Sequence, residues 1–74
     1  MSVRSATILF GHGSRDALWA APMQAIAERM HSLRPEQPVR CAYLELMQPD
    51  LATAARQLVA AGVSQIAILP MFLG

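Results

Sequence analysis

Three short apolar runs, separated by two longer segments of helical character, constrain the fold of this chain more than any other feature. The runs cover residues 5–10 (SATILF), 38–44 (PVRCAYL) and 64–72 (SQIAILPMF). The first is β-branched and apolar and ends at a glycine, which is typical of a strand buried on both faces rather than of an alternating edge strand. The third is equally apolar and branched. We therefore predict three strands.

The segment between the first two runs has the spacing of an amphipathic helix. Apolar residues recur there at steps of three and four: Trp19, Met23, Ile26, Met30 and Leu33. Pro22 suits the first helical turn, and Pro35 lies where the helix should end. His31 falls with Glu28 on the opposite, polar side, so we expect it at the surface. The helix should begin within a few residues of Pro22 and bury its apolar stripe.

The segment between the second and third runs predicts a second helix. Its apolar stripe consists of Leu51, Ala54, Ala55, Leu58 and Ala61. Pro49 and Asp50 suit a first turn, and Gly62 suits a left-handed helix stop. The order strand, helix, strand, helix, strand indicates a parallel sheet with right-handed crossovers and helices on its faces. The expected fold is three-layer α/β and flavodoxin-like.

Size and composition indicate a single small domain with more apolar surface than it can bury. The chain has 74 residues, of which 54% are hydrophobic and 15% charged. Small domains have much surface and little interior, so a second copy or the remainder of a larger domain should cover part of that surface. Three parallel strands are few, and Gly74 falls where a third loop would begin. We expect residues 1–74 to be a single, partial domain.

Charge and cysteine content exclude several classes of partner. The net charge of +1 comes from six arginines, no lysines and five dispersed acids, so no basic stripe is available for nucleic acid. The lone Cys41 predicts a buried reduced thiol and a reducing cytosol. The apolar stretches are far shorter than the ~20 residues that a membrane span requires. We expect a cytoplasmic protein with neither nucleic-acid nor membrane partners.

The carboxyl ends of the three predicted strands should meet at one rim of the sheet, where ligands bind in parallel α/β folds. The segments there are GHGSRD, LELMQPD and PMFLG. This placement makes His12 and Glu45 neighbours in space, although they are far apart in sequence. The GHGSRD segment lacks the lysine of a phosphate-binding loop, and Asp16 breaks the dinucleotide fingerprint. We expect no organic cofactor.

His12 and Glu45 are candidate metal ligands. The glycines beside His12 allow a sharp turn and leave room for a bulky ligand, and its imidazole can bind a divalent metal or accept a proton near neutral pH. The alternative is a turn histidine bonded to a nearby carbonyl. Glu45 could bind the same ion or orient the imidazole. The alternative is a solvated glutamate at a strand end.

Ser14 and Arg15 are candidate substrate-binding residues. They precede the first helix, where free backbone N–H groups and the helix dipole favour anions. The planar fork of Arg15 suits a carboxylate or a phosphate. The alternative is a surface arginine beside a capping Asp16.

Three segments together carry a resemblance to a known family. ILFGHGSRD, YLELMQPDL and GVSQIAILPMFLG, in this order and spacing, resemble the small sirohydrochlorin chelatases of the CbiX and SirB type, which are class II chelatases. The resemblance runs from about Thr7 to Gly74. It implies a chelatase-like parallel α/β sheet and the insertion of Co²⁺ or Fe²⁺ into sirohydrochlorin without ATP, on the way to cobalamin or sirohaem.

The resemblance also implies residue roles. The first catalytic histidine of the family corresponds to His12, which would act as base and metal ligand, and its acidic metal-site residue corresponds to Glu45. The second catalytic histidine stands a few residues beyond the P-hydrophobic-F segment, past Gly74. The small members of the family form homodimers. Co²⁺, Fe²⁺ and Ni²⁺ all suit histidine and glutamate ligands.

Two other hypotheses stay open beside the chelatase. The chain could be a non-catalytic metal- or tetrapyrrole-binding module, or a half-domain that functions only when paired. It could also be a structural fragment without a site, in which case His12→Ala would change nothing measurable.

Overall fold

The computed structural model of the protein describes residues 4–72. It contains the predicted alternation of strands and helices, together with one short 3₁₀ helix. The elements are β1 (Ser5–Gly11), the 3₁₀ helix (Ala17–Ala20), α1 (Ala21–Leu33), β2 (Val39–Tyr43), α2 (Leu51–Ala60) and β3 (Gln65–Pro70). The strands form one parallel sheet in the order β2-β1-β3. No helix within residues 4–72 is long and apolar enough to cross a membrane.

The central strand β1 is buried on both faces, as predicted, and it joins two separate apolar clusters. Successive side chains of a strand point to opposite faces. Ile8 packs with Ala54 and Leu58 of α2, whereas Leu9 packs on the other face with Met23 of α1. The two helices therefore cover opposite faces of the sheet, which gives the expected three layers. Full burial of a side chain such as Ile8 stabilises the fold by roughly 1.5–3 kcal/mol.

The apolar stripe of α1 is less buried than its spacing predicts. Met23 is the buried residue of this helix, while Ile26 and Leu33 are 41% and 67% exposed. Trp19, which the pattern also placed in the stripe, lies in the 3₁₀ helix and is 37% exposed. The reason is that α1 packs mainly over β2, so only its inner edge meets the sheet. The helical period was right, but the width of the buried face was not.

The expectation that β3 resembles β1 is correct for its conformation and wrong for its burial. Both faces of β3 are open, with Ile68 46% and Leu69 44% exposed. The strand lies at the edge of the sheet and pairs with β1 alone, and the two helices pack mainly on β1 and β2. The apolar surface that the composition predicted lies here and along the outer side of α1.

The β1–β2 ladder continues beyond the ends of both strands. The backbone N–H of Leu44 donates to the carbonyl of Gly11 at 2.9 Å, and the N–H of Glu45 donates to the carbonyl of His12 at 3.1 Å. Gly13, at φ +99°, brings the segments that follow β1 and β2 closer still. A Cβ at position 13 would lie only 1.8 Å from the carbonyl oxygen of Glu45. Any side chain there would force the two segments apart.

Asp50 begins α2 and fixes the far end of the loop that carries Glu45. Its Oδ1 accepts a hydrogen bond from the backbone N–H of Thr53 at 2.8 Å. The hydroxyl of Thr53, and then its N–H, lower the pKa of the Asp50 carboxyl below its ordinary value. Gly62 ends the helix region at φ +94°, as predicted. The loop between β2 and α2 is therefore held at both ends.

We expect Gly13→Ala to destabilise the protein more than Gly62→Ala. Both substitutions place a Cβ on a left-handed backbone, which costs ~1–2 kcal/mol. Only at position 13 does the new Cβ meet backbone, since at position 62 it meets the end of the long Arg4 side chain, which can shift. Urea unfolding of the two variants measures the difference. Equal losses of unfolding free energy would contradict the close approach of Gly13 to Glu45.

We expect Asp50→Asn to remove part of the acid sensitivity of the fold. Because the folded pKa of Asp50 is lowered, its ionised form stabilises the protein above the ordinary value of 3.8, and this stabilisation is lost as the pH falls through the folded pKa. Asparagine caps a helix about as well but does not titrate. Urea unfolding at a series of pH values below neutrality should show a shallower decline for the variant; identical slopes would refute this role.

Candidate functional site

His12 and Glu45 meet at the carboxyl edge of the sheet. His12 follows β1 directly, Glu45 comes shortly after β2, and the His12 Nε2 lies 3.0 Å from the Glu45 Oε1. Both side chains are more than half exposed, at 56% and 57%. The parallel topology predicts that these two residues lie close together, as they do. Both side chains remain accessible to a ligand from solvent.

A backbone hydrogen bond holds this pair in register. The hydrogen bond from the Glu45 N–H to the His12 carbonyl joins the very two residues whose side chains meet. Leu46 then turns the chain away with φ at 66°, a conformation that is uncommon for a residue other than glycine. Residues in such conformations persist where the surrounding structure holds them, and they cluster at ligand sites.

Of the two roles that we predicted for the glycines beside His12, Gly13 has the sharp turn, at φ +99°, but neither glycine leaves open space. We expected them to leave room for a bulky ligand, but the space beside Gly13 holds the carbonyl of Glu45. A Cβ on Gly11 would lie 2.6 Å from the sulfur of Met23 and 3.1 Å from the ring of Trp19. Protein atoms therefore fill both spaces, and the glycines permit close packing of β1 against β2 and α1.

Phe72, just after β3, brings the third strand to the same rim. Its ring packs edge-to-face with Phe10 at a centroid distance of 5.3 Å and with His12 at 6.2 Å. Phe10 in turn packs against the buried cluster between the sheet and α2. A contact chain thus links the imidazole to the core. Sequence reasoning placed this segment at the rim but did not single out Phe72, although an aromatic residue there was a usable signal.

Ser14 and Asp16 are engaged with the local backbone. Ser14 Oγ accepts a hydrogen bond from the N–H of Asp16 at 3.1 Å, and Asp16 Oδ1 accepts one from the N–H of Leu18 at 3.0 Å. These bonds begin the 3₁₀ helix, whereas α1 itself starts after Ala20 without a side-chain cap. The predicted anion site at the start of the first helix is therefore partly occupied by the chain's own capping groups.

Arg15 lies between these two residues and is exposed. Its guanidinium takes part in none of the side-chain hydrogen bonds or ion pairs formed among residues 4–72. The side chain is therefore available to an anionic ligand at the rim. It can equally remain a solvated surface residue, which was the alternative interpretation of the sequence.

A recess opens beside Glu45 in the loop between β2 and α2. It is lined by residues 44–48 together with Asp50 and Thr53. Two carboxylates, those of Glu45 and Asp50, thus share one concave surface. A negatively charged recess next to an imidazole attracts cations rather than anions.

The other histidine and the cysteine of the chain lie away from this recess. His31 is exposed on α1, as predicted. Cys41 is half-buried in β2 rather than fully buried, and burial raises the pKa of its thiol, so it stays protonated at neutral pH. Within residues 4–72 no three histidine, cysteine or acidic side chains converge on one point. His12 and Glu45 therefore form a two-donor nitrogen and oxygen set with open positions, which suits loose binding of a borderline divalent ion.

Comparison with known proteins gives a consistent assignment. The chain is 31% identical over 68 residues to a curated sirohydrochlorin cobaltochelatase of Methanopyrus kandleri, a match that covers 92% of this chain and 48% of the relative. It also matches the 1.60 Å crystal structure of a CbiX protein of Marinobacter aquaeolei VT8. That match has a TM-score of 0.76 and 33% identity, and covers 95% of this chain and 57% of the other.

The chain thus spans about half the length of these two relatives. The three parallel strands and two helices described above match the fold of the Marinobacter protein. The model of the CbiX family matches residues 6–74, which is nearly the whole sequence and includes both His12 and Glu45. The chain belongs to the CbiX family.

Proposed function

We propose that this chain is part of a sirohydrochlorin chelatase and that the carboxyl edge of its sheet binds the metal ion. The observation that carries the proposal is the contact of His12 with Glu45, 3.0 Å apart at the carboxyl edge of the sheet. The name of the Methanopyrus relative, a sirohydrochlorin cobaltochelatase, supports the substrate class. The reaction places a divalent metal in the tetrapyrrole without ATP, in cobalamin or sirohaem biosynthesis.

His12 serves as the base in this proposal. Metal insertion replaces two pyrrole N–H protons by one divalent ion, so two protons must leave the ring. In the tautomer whose Nε2–H donates to Glu45, the free Nδ1 of His12 accepts a proton, and the adjacent carboxylate of Glu45 stabilises the imidazolium that forms. Because both side chains are more than half exposed, the proton passes on to water and the pair is ready for the second transfer.

The same pair also binds the incoming metal ion, which is a substrate of the reaction. A chelatase must bind its metal loosely enough to release it to the ring nitrogens. One imidazole nitrogen and one carboxylate oxygen leave most positions of the ion open to water and then to the macrocycle. Co²⁺ is the first choice from the relative's name, and Fe²⁺ and Ni²⁺ suit the same two donors.

Arg15 and Ser14 are the proposed contacts for the carboxylates of the substrate. Arg15 is exposed beside the rim and its guanidinium fits a carboxylate with two parallel hydrogen bonds. Ser14 Oγ accepts the Asp16 N–H and still carries its own hydroxyl proton for donation. The recess beside Glu45 takes the cation, so anionic and cationic substrates approach different parts of the rim.

The second candidate function is a metal- or tetrapyrrole-binding half-domain that acts only when paired. It is favoured by the absence of a third donor beside His12 and Glu45 among the described residues, and by the match to about half of each relative. In either case we propose a cytoplasmic protein, a partial CbiX domain and self-association into a homodimer. The exposed apolar side chains of β3 support self-association.

We expect the protein to accelerate the absorbance change of sirohydrochlorin on addition of Co²⁺ above the rate without protein. His12→Ala should lower the initial rate by about 100-fold or more, in line with the loss of a general base. Glu45→Gln should lower it less, because the imidazole remains. The matched control is His31→Ala, which removes the other histidine, on the exposed side of α1.

The possible results distinguish the chelatase from the binding half-domain and test the role of His12. Tight binding of tetrapyrrole or Co²⁺ without acceleration would favour the binding half-domain. Acceleration that survives His12→Ala would overturn the assignment of the base. Equal effects of His12→Ala and His31→Ala would show that the rim pair has no special part in the reaction.

A further inference from the structure

The imidazole of His12 is held by one hydrogen bond, which restrains only part of its motion. Within residues 4–72, Glu45 is its single side-chain hydrogen-bond partner, through Nε2 at 3.0 Å. Nε2 lies close to the axis of the Cβ–Cγ bond, so the ring can rotate about that bond with little movement of Nε2. This torsion is broad in histidine, and exposed side chains rotate rapidly. Because the His12 side chain is 56% exposed, a second contact is needed to keep one ring orientation.

The ring of Phe72 provides that second contact. It meets the imidazole of His12 edge-to-face, with the ring centroids 6.2 Å apart and the ring planes at 87°. Aromatic pairs prefer this perpendicular arrangement at such distances. Rotation of the imidazole about Cβ–Cγ moves its face and its edges relative to the Phe72 ring and so weakens the contact. Phe72 therefore opposes the rotation that the hydrogen bond to Glu45 leaves free.

Phe72 is itself fixed by the neighbouring strand. Its ring packs against Phe10 at a centroid distance of 5.3 Å and an angle of 85°, and Phe10 packs against the buried cluster beneath α2. The backbone N–H of Met71, the preceding residue, donates to the carbonyl of the same Phe10 at 2.7 Å. One residue of β1 thus holds both the backbone and the ring of this segment. Although Phe72 is 46% exposed, it has the support that is needed to restrain its neighbour.

The strand register explains why Phe72 reaches His12. Phe10 of β1 is the partner of Pro70 of β3 in the parallel ladder. Continued by two residues, this register brings Phe72 beside His12, in agreement with the observed ring contact. Glu45 reaches the imidazole from the side of β2. The segments that follow all three strands therefore meet at this imidazole.

We propose that Phe72 is a positioning residue, whose ring fixes the rotation of the His12 imidazole about Cβ–Cγ. The inference rests on the proposed function, in which His12 is the base. With Nε2–H directed at Glu45 and the ring plane held by Phe72, the lone pair of Nδ1 keeps one direction before the substrate arrives. A base that is already oriented spends less free energy on reaching the geometry of proton transfer. An edge-to-face pair favours one ring orientation by roughly 2- to 10-fold.

Nuclear magnetic resonance relaxation of the histidine rings tests the restraint without any substrate. In the wild type we expect the ring C–H bonds of His12 to be clearly more ordered than those of His31, which is exposed on α1. Phe72→Leu removes the ring but keeps an apolar side chain, and should lower the order of the His12 ring. Phe72→Tyr keeps the ring and should leave that order as in the wild type. A His12 ring as mobile as that of His31, or one unaffected by Phe72→Leu, overturns the proposal.

The kinetics of Co²⁺ insertion test the consequence for the base. Phe72→Leu should lower kcat by roughly 2- to 10-fold and leave the KM for sirohydrochlorin unchanged, because it disturbs the orientation of the base and not the binding of substrate. Phe72→Tyr should stay close to the wild type. A raised KM at unchanged kcat would show that Phe72 contacts the substrate instead, and would refute the positioning role. Equal losses of kcat for the two variants would refute it as well.

Leu69→Ala is the matched control for a general loosening of β3. Leu69 lies on the same strand with nearly the same exposure, 44%, and is the ladder partner of Leu9 rather than a neighbour of the rim. It should leave the His12 ring order and kcat unchanged. If it disturbs them as much as Phe72→Leu, the proposal is wrong. A wild type that does not accelerate metal insertion contradicts the proposed function, whereas the relaxation measurement still decides whether Phe72 orients the imidazole.

Discussion

One backbone hydrogen bond, from the N–H of Glu45 to the carbonyl of His12, determines where the rest of the rim can lie. It carries the β1–β2 pairing past the strands and sets the spacing of two side chains that come from distant parts of the sequence. Gly13 makes this pairing possible, because the Glu45 carbonyl occupies the place of a Cβ. Exposed side chains are normally mobile, so a pair that must meet in solvent depends on a backbone that is already fixed.

Packing on both faces of β1 stabilises this pairing of β1 with β2. β1 is the central strand, and its two faces pack into separate clusters beneath α1 and α2. Phe72 extends this support to the imidazole, since its ring contacts both His12 and Phe10. The same topology leaves β3 at the edge with open faces. A buried central strand that leads to the His12 and Glu45 pair, and an apolar strand at the edge, thus follow from one strand order.

The sequence was sufficient for the element order and for the meeting of His12 with Glu45. Element order follows from local periodicity, and the meeting of the two residues follows from the parallel direction of the strands. Burial was harder to predict, because the exposure of β3 and Ile26 depends on which elements cover them and not on their own composition. The space beside Gly11 and Gly13 was misjudged for a related reason: only the fold shows which atoms lie beside a glycine.

The central claim is that the His12 and Glu45 side chains form one metal-binding pair. Titration of the protein with Co²⁺, followed through the imidazole signals of His12 and His31 in nuclear magnetic resonance spectra, tests it most directly, because paramagnetic Co²⁺ broadens the signals of nearby nuclei. The account predicts that the His12 signals broaden first and that Glu45→Gln raises the Co²⁺ concentration this requires. Simultaneous broadening of His12 and His31, or broadening unaffected by Glu45→Gln, would contradict it.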